Sequence, residues 1–119
     1  MTDRKQALTE FRYMVQRGEF PADLTGKEMG FPNVSAANLY AVFAGSLDAA
    51  KALHEAVLPG WSFAVASHSP RATLHPPKFN LPHIKAVHAE AANPARAWLS
   101  AIIEALIAGE ERAKQEQNG

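Results

Sequence analysis

Four of the five histidines, His68, His75, His83 and His88, lie in one stretch between positions 68 and 88. Imidazoles grouped this way could bind a metal or move a proton. His88-Ala89-Glu90 matches the first half of a zinc deaminase signature, in which histidine holds the metal and glutamate handles the proton. The second half needs Pro-Cys-x-x-Cys, and the chain has no cysteine. His68 and His75 flank a turn at Ser69-Pro70, so a hairpin would bring them close. A zinc site needs three or four ligands in set orientation. Nothing in the sequence orients these four, and no carboxylate lies among them, so no metal and no other cofactor is expected.

Other catalytic patterns are missing as well. No serine sits in a Gly-x-Ser-x-Gly elbow, and no glycine-rich phosphate loop follows a strand. Asp48 and Glu55 are about two helical turns apart, too far to share a proton. An enzyme needs a positioned acid, base or nucleophile. The sequence offers none, so the reading leans against an enzyme and assigns no catalytic residue.

One charge asymmetry stands out. From Ala56 to Ala89 there is no aspartate or glutamate, while Arg71, Lys78, Lys85 and four histidines fall there. Strand composition alone depletes acids. The functional alternative is an anion-binding site built from Arg71, His75, Lys78, His83 and Lys85. It would take a phosphate-bearing ligand, a nucleic-acid backbone or an acidic protein patch.

The whole chain carries no such bias. Its 119 residues hold 12 basic and 12 acidic side chains. A neutral balance gives no global field toward nucleic acid or an anionic membrane, and little repulsion against self-association. The apolar share of 47% and the length suit one globular domain. Absence of cysteine rules out disulfides, thiolate metal sites and a cysteine nucleophile. Met1 to Gln6 are polar with no apolar signal region behind them. No apolar run approaches the ~20 residues of a membrane span. The expectation is a cytoplasmic protein.

The elements that would position these groups follow from periodicity and punctuation. Ala7, Leu8, Phe11, Met14 and Val15 predict an amphipathic helix over 4–17. Glycines and prolines make 18–35 a loop that leaves the first helix free to sit apart from the main core, although Phe20, Met29 and Phe31 suggest some packing; the sequence does not place that helix. Asn33-Val34-Ser35 matches a glycosylation acceptor but reads as a turn and a helix cap. Residues 36–45 fit either a short helix or a short extended piece. Ser46 caps a helix to Val57, with Asp48 in its first turn, and Pro59-Gly60 ends it. Trp61 to Ala66 is apolar on both faces, the pattern of a covered central strand. Arg71 to His75 alternates like a half-exposed strand, Pro76-Pro77 stops it, Phe79 and Leu81 anchor a loop, and a third strand spans 84–91. Asn93-Pro94 starts a helix over 93–108, the most periodic part of the chain. The residues from 110 to 119 read as a flexible polar tail. The fold class is α+β: a 1–35 helix and loop, a 36–109 domain with an α-β-β-β-α core, and that tail.

The order of motifs resembles the phage ABA-sandwich domain family. Ser46-Leu47-Asp48-Ala49-Ala50 with Ala52-Leu53, Leu58-Pro59-Gly60-Trp61, and Ala89-Glu90-Ala91 leading into Pro94-Ala95-Arg96-Ala97 and Leu99 carry the resemblance, over roughly residues 43–107. It implies a small, three-stranded, mainly antiparallel sheet layered between helices, and a phage or prophage origin in a host cytoplasm. It implies no chemistry and carries no catalytic residue across. The segment from Ser67 to Leu81 is longer than the family pattern. The same residues have structural roles as caps, turns and core.

The expected function is a non-enzymatic phage accessory protein that binds a host or phage protein, or a second copy of itself through residues 4–20. An anionic-ligand or nucleic-acid module using 56–89 is the alternative. No membrane association is expected.

Overall fold

The computed structural model describes residues 4–65, 71–76 and 86–118, with side chains as far as Glu111. These form helices α1 (Arg4–Gln16), α2 (Ala36–Ala44), α3 (Leu47–Val57) and α4 (Pro94–Asn118), and strands β1 (Ser62–Val65), β2 (Arg71–His75) and β3 (Val87–Glu90). The class is α+β, and α3-β1-β2-β3-α4 follows the order read from the sequence.

Helix α4 is the axis on which the rest is assembled. Asn93 caps it, its Oδ1 accepting from Arg96 N at 2.8 Å, with Pro94 at the first helical position. The expected stripe of Trp98, Leu99, Ile102 and Ile103 is buried, and so are Ala97, Ser100, Ala101 and Ala105 between its members. A helix covered on nearly all sides is an interior helix. Strands β2 and β3 pack on one side of α4, and α1, α2 and α3 on others.

Two sequence expectations change here. Helix α1 does not sit apart: Leu8, Phe11 and Val15 are buried, and α1 packs on α4 more extensively than any other element does. The small side chains of α4 leave room for it. Nor does the chain fray after Gly109, because α4 continues to Asn118. Residues 110–118 are mostly good helix formers, and Glu110 and Glu111 reach Arg4 and Lys5 of α1 at 3.1 and 3.3 Å.

The 18–35 loop is packed. Gly18 ends α1 with φ +78, while Glu19 N donates to Met14 O and Gly18 N to Val15 O, a Schellman cap. Thr25 and Glu28 cap each other reciprocally, at 3.0 and 3.2 Å. The turn they form buries Met29 and Phe31 under α1.

The ambiguous 36–45 segment is helical, capped by Ser35. Gly45, at φ +122, turns the chain at the end of α2, and Ser46 both closes that cap and begins α3 by accepting from Ala49 N.

The sheet is antiparallel in the order β1-β2-β3. Phe63, Val65, Ala72, Leu74 and Ala89 alternate onto the side facing α4. The expectation that β1 is a covered central strand is overturned. Among the described residues it is an edge strand, with Ala64 exposed and Phe63 40% exposed. Trp61 precedes the strand and is half-buried. The central place belongs to β2, whose Ala72 and Leu74 are sealed against α4.

Candidate functional site

Three arrangements on this scaffold could carry function. The first surrounds His54, which α3 carries one turn beyond Ala50 and which is 1% exposed. Trp98 Nε1–H donates to His54 Nδ1 at 3.1 Å, so that nitrogen carries no proton. The other, Nε2–H, then donates to the Trp61 carbonyl at 2.9 Å. Phe63 packs edge-on against the imidazole at 5.0 Å and tilted against Trp98 at 4.6 Å. Both ring nitrogens are used internally, so His54 acts as a clasp between α3, α4 and the entry to β1 and is not set up as a base.

The second is the open face of the sheet. Register places Ala64, Thr73 and His88 in one row, Arg71 beside Glu90 in the next, and Ser62 beside His75 at the far end. Thr73 Oγ1 and His88 Nδ1 are 3.1 Å apart. Arg71 donates to Glu90 Oε1 through Nε at 3.0 Å and Nη2 at 2.7 Å. A shallow concavity of about 320 Å³ is lined by Arg71, His88, Ala89 and Glu90.

This placement bears directly on the expected anion site. The acid-free stretch ends one residue before Glu90, and antiparallel pairing puts that carboxylate on Arg71. His75 lies on the same face, four residues along β2, roughly 13 Å away. The structure therefore does not bring Arg71 and His75 together. Lys78, His83 and Lys85 lie outside the described residues, as do His68, Phe79 and Leu81. Among the described residues no group of three or more histidines, aspartates or glutamates could hold a metal.

The third is a groove of about 360 Å³ between α1 and the turn after it. Its floor is Ala7, Phe11, Met14, Leu24 and Met29, and the exposed Glu10, Tyr13, Arg17 and Glu28 stand at its edges. Arg17 is paired with Glu19 at 3.2 Å.

Sequence reasoning missed His54, Glu90 as the partner of Arg71, and the groove. His54 stands next to Leu53 on an otherwise apolar stripe, which was a visible signal. Pairing Arg71-Ala72-Thr73 antiparallel with His88-Ala89-Glu90 would have predicted the ion pair. The groove had only the apolar Leu24 and Met29 inside a loop to announce it.

Compared with family models, curated proteins and solved structures, the chain matches none. The likeness to the phage ABA-sandwich family therefore rests on residue order alone. No helix among the described residues is long and apolar enough to cross a membrane.

Proposed function

We propose that this chain is a non-enzymatic phage or prophage accessory protein that works by protein–protein binding, and that a second copy is its partner at the β1 edge. The observation that carries the reading is that edge. Among the described residues β1 is paired on one side only. Its sequence, Ser62-Phe63-Ala64-Val65, has no charge and no proline, and Phe63 is 40% exposed. Uncharged, unblocked edges are templates for another strand. An antiparallel β1–β1 contact is its own complement, satisfies a two-fold axis, and meets no net charge opposing it. Residues 4–20 are not the dimer surface in this reading, because Leu8, Phe11 and Val15 are already buried in the core.

The anionic-ligand reading ranks second because Glu90 answers the charge of Arg71. Host cytoplasm remains part of the proposal through the phage resemblance.

Sedimentation of the wild type and of Ala64→Lys tests the contact. Ala64 is exposed, so the lysine blocks pairing without disturbing the core. The wild type should associate with rising concentration and the variant should stay monomeric with an unchanged melting temperature. A wild type that is monomeric throughout, or a variant that still dimerises, overturns the proposal.

A further inference from the structure

The groove between α1 and the 24–29 turn is a separate surface from the β1 edge, and its chemistry specifies a different occupant. Positions 7, 11 and 14 place Ala7, Phe11 and Met14 on one side of α1 over about 10 Å of helix. Leu24 and Met29 form the facing wall. The volume, about 360 Å³, is at the small end of the range for ligand clefts. It accommodates one or two large apolar side chains. Met14, half-buried, adds an adaptable contact, while Met29 is sealed beneath it as part of the core.

The rim supplies the sign. Glu10 and Glu28 are exposed and border the groove. Glu28 is held in place, because its Oε1 accepts from Thr25 N at 3.0 Å. Gln6 Nε2 lies 3.5 Å from Glu10 Oε1 and leaves the carboxylate charge in place. Among the described residues that line the groove the one cation is Arg17, and it is already answered by Glu19. An apolar slot edged by two carboxylates whose charge no lining cation offsets favours an apolar segment flanked by cations.

We infer that this groove is a docking site for an amphipathic basic segment of a partner protein, a helix presenting two apolar side chains one turn apart, at i and i+4, with lysine or arginine beside them. The apolar side chains enter between Met14 and Leu24, and the cations lie against Glu10 and Glu28. This is helix-in-groove recognition, with the carboxylates selecting the partner by sign.

The test titrates the full chain with a helical peptide of about 15 residues carrying a leucine stripe flanked by lysines, against the same peptide with glutamates for the lysines. Binding is followed by calorimetry and amide chemical shifts. The lysine peptide should bind with shifts confined to residues 7–17 and 24–29, and should weaken as salt rises. The glutamate peptide should bind about tenfold more weakly, a difference of about 1.4 kcal/mol shared by two exposed rim charges. Glu10→Gln with Glu28→Gln should remove most of that preference. The glutamine at 28 can still accept from Thr25, so the turn survives. Met14→Glu should block both peptides, with circular dichroism checking its fold. Equal binding of the two peptides, shifts outside the groove, no binding of the lysine peptide, or a preference that survives the double glutamine change overturns the inference. Peptide displacement that tracks protein concentration would instead show a second copy in the groove and overturn it as well. None of these readings depends on β1, so Ala64→Lys should behave like the wild type.

Discussion

Among the described residues His54 and Ser100 are the buried polar side chains of the core, and they make opposite predictions. Trp98→Phe keeps an aromatic ring and removes the N–H that His54 Nδ1 accepts, leaving a buried acceptor unpaired. That should cost about 1–3 kcal/mol in urea unfolding. With His54→Leu in the same chain the acceptor is gone, so the double variant should lose less than the two singles added together. Strict additivity would show that the contact contributes nothing. Ser100 is different, since its hydroxyl has no partner among the described residues. Ser100→Ala removes an unsatisfied group and improves helix propensity, so it should be neutral or stabilising by up to about 1 kcal/mol; a clear loss would mean the hydroxyl is satisfied in solution. At this scale the sequence was least legible. That Ser35, Ser46 and Asn93 would cap helices could be read locally, because a cap acts within three residues. That Arg71 meets Glu90, or His54 meets Trp98, depends on strand register and helix packing, which side-chain type alone does not encode.

Elements were legible where one period dominated. The stripes of α1, α3 and α4 and the alternation of β2 all form as expected, because burying one face leaves few alternatives. Three features escaped for physical reasons. Residues 36–45 are nearly all apolar, so periodicity could not separate helix from strand; Ser35 and Gly45 decide it. Strand β1 looked covered because alanine is apolar, yet alanine tolerates solvent, and the edge position leaves Ala64 outside. The end of α4 looked disordered by polarity, while its helix formers and the ion pairs to Arg4 and Lys5 keep it helical. The α2–α3 corner offers the sharpest test. Gly45 has φ +122, a backbone that a Cβ makes costly, and its space is otherwise unobstructed. Gly45→Ala should therefore lose about 1–2 kcal/mol through conformation alone. A thermal unfolding curve matching the wild type would mean the corner relaxes into another turn at no cost.

For the molecule as a whole, the docking of α1 decides whether there is one cooperative unit. The sequence suggested a helix held off by a glycine- and proline-rich loop and free to seek another copy. In the structure Leu8, Phe11 and Val15 are all but sealed, and Phe31 from the loop packs edge-on against Phe11 at 6.1 Å. At about 1.5–3 kcal/mol for each such side chain, their burial contributes on the order of 5–9 kcal/mol. That is comparable to the ~5–15 kcal/mol that separates a folded domain from its unfolded chain. The ion pairs along the same contact, Arg4–Glu110, Lys5–Glu111 and Arg12–Glu104, are partly or well exposed and add at most about 1 kcal/mol each. Removing residues 1–17 should therefore abolish the cooperative melting transition and expose the side of α4 that α1 covers, with dye binding and aggregation as the visible result. Raising salt on the intact chain should leave the melting temperature nearly unchanged, because apolar burial and not ion pairing holds α1 in place. A truncated chain that still melts cooperatively, near the temperature of the full chain, would show that α1 is an accessory to a core that stands without it. A large loss of stability in salt would move the credit to the ion pairs.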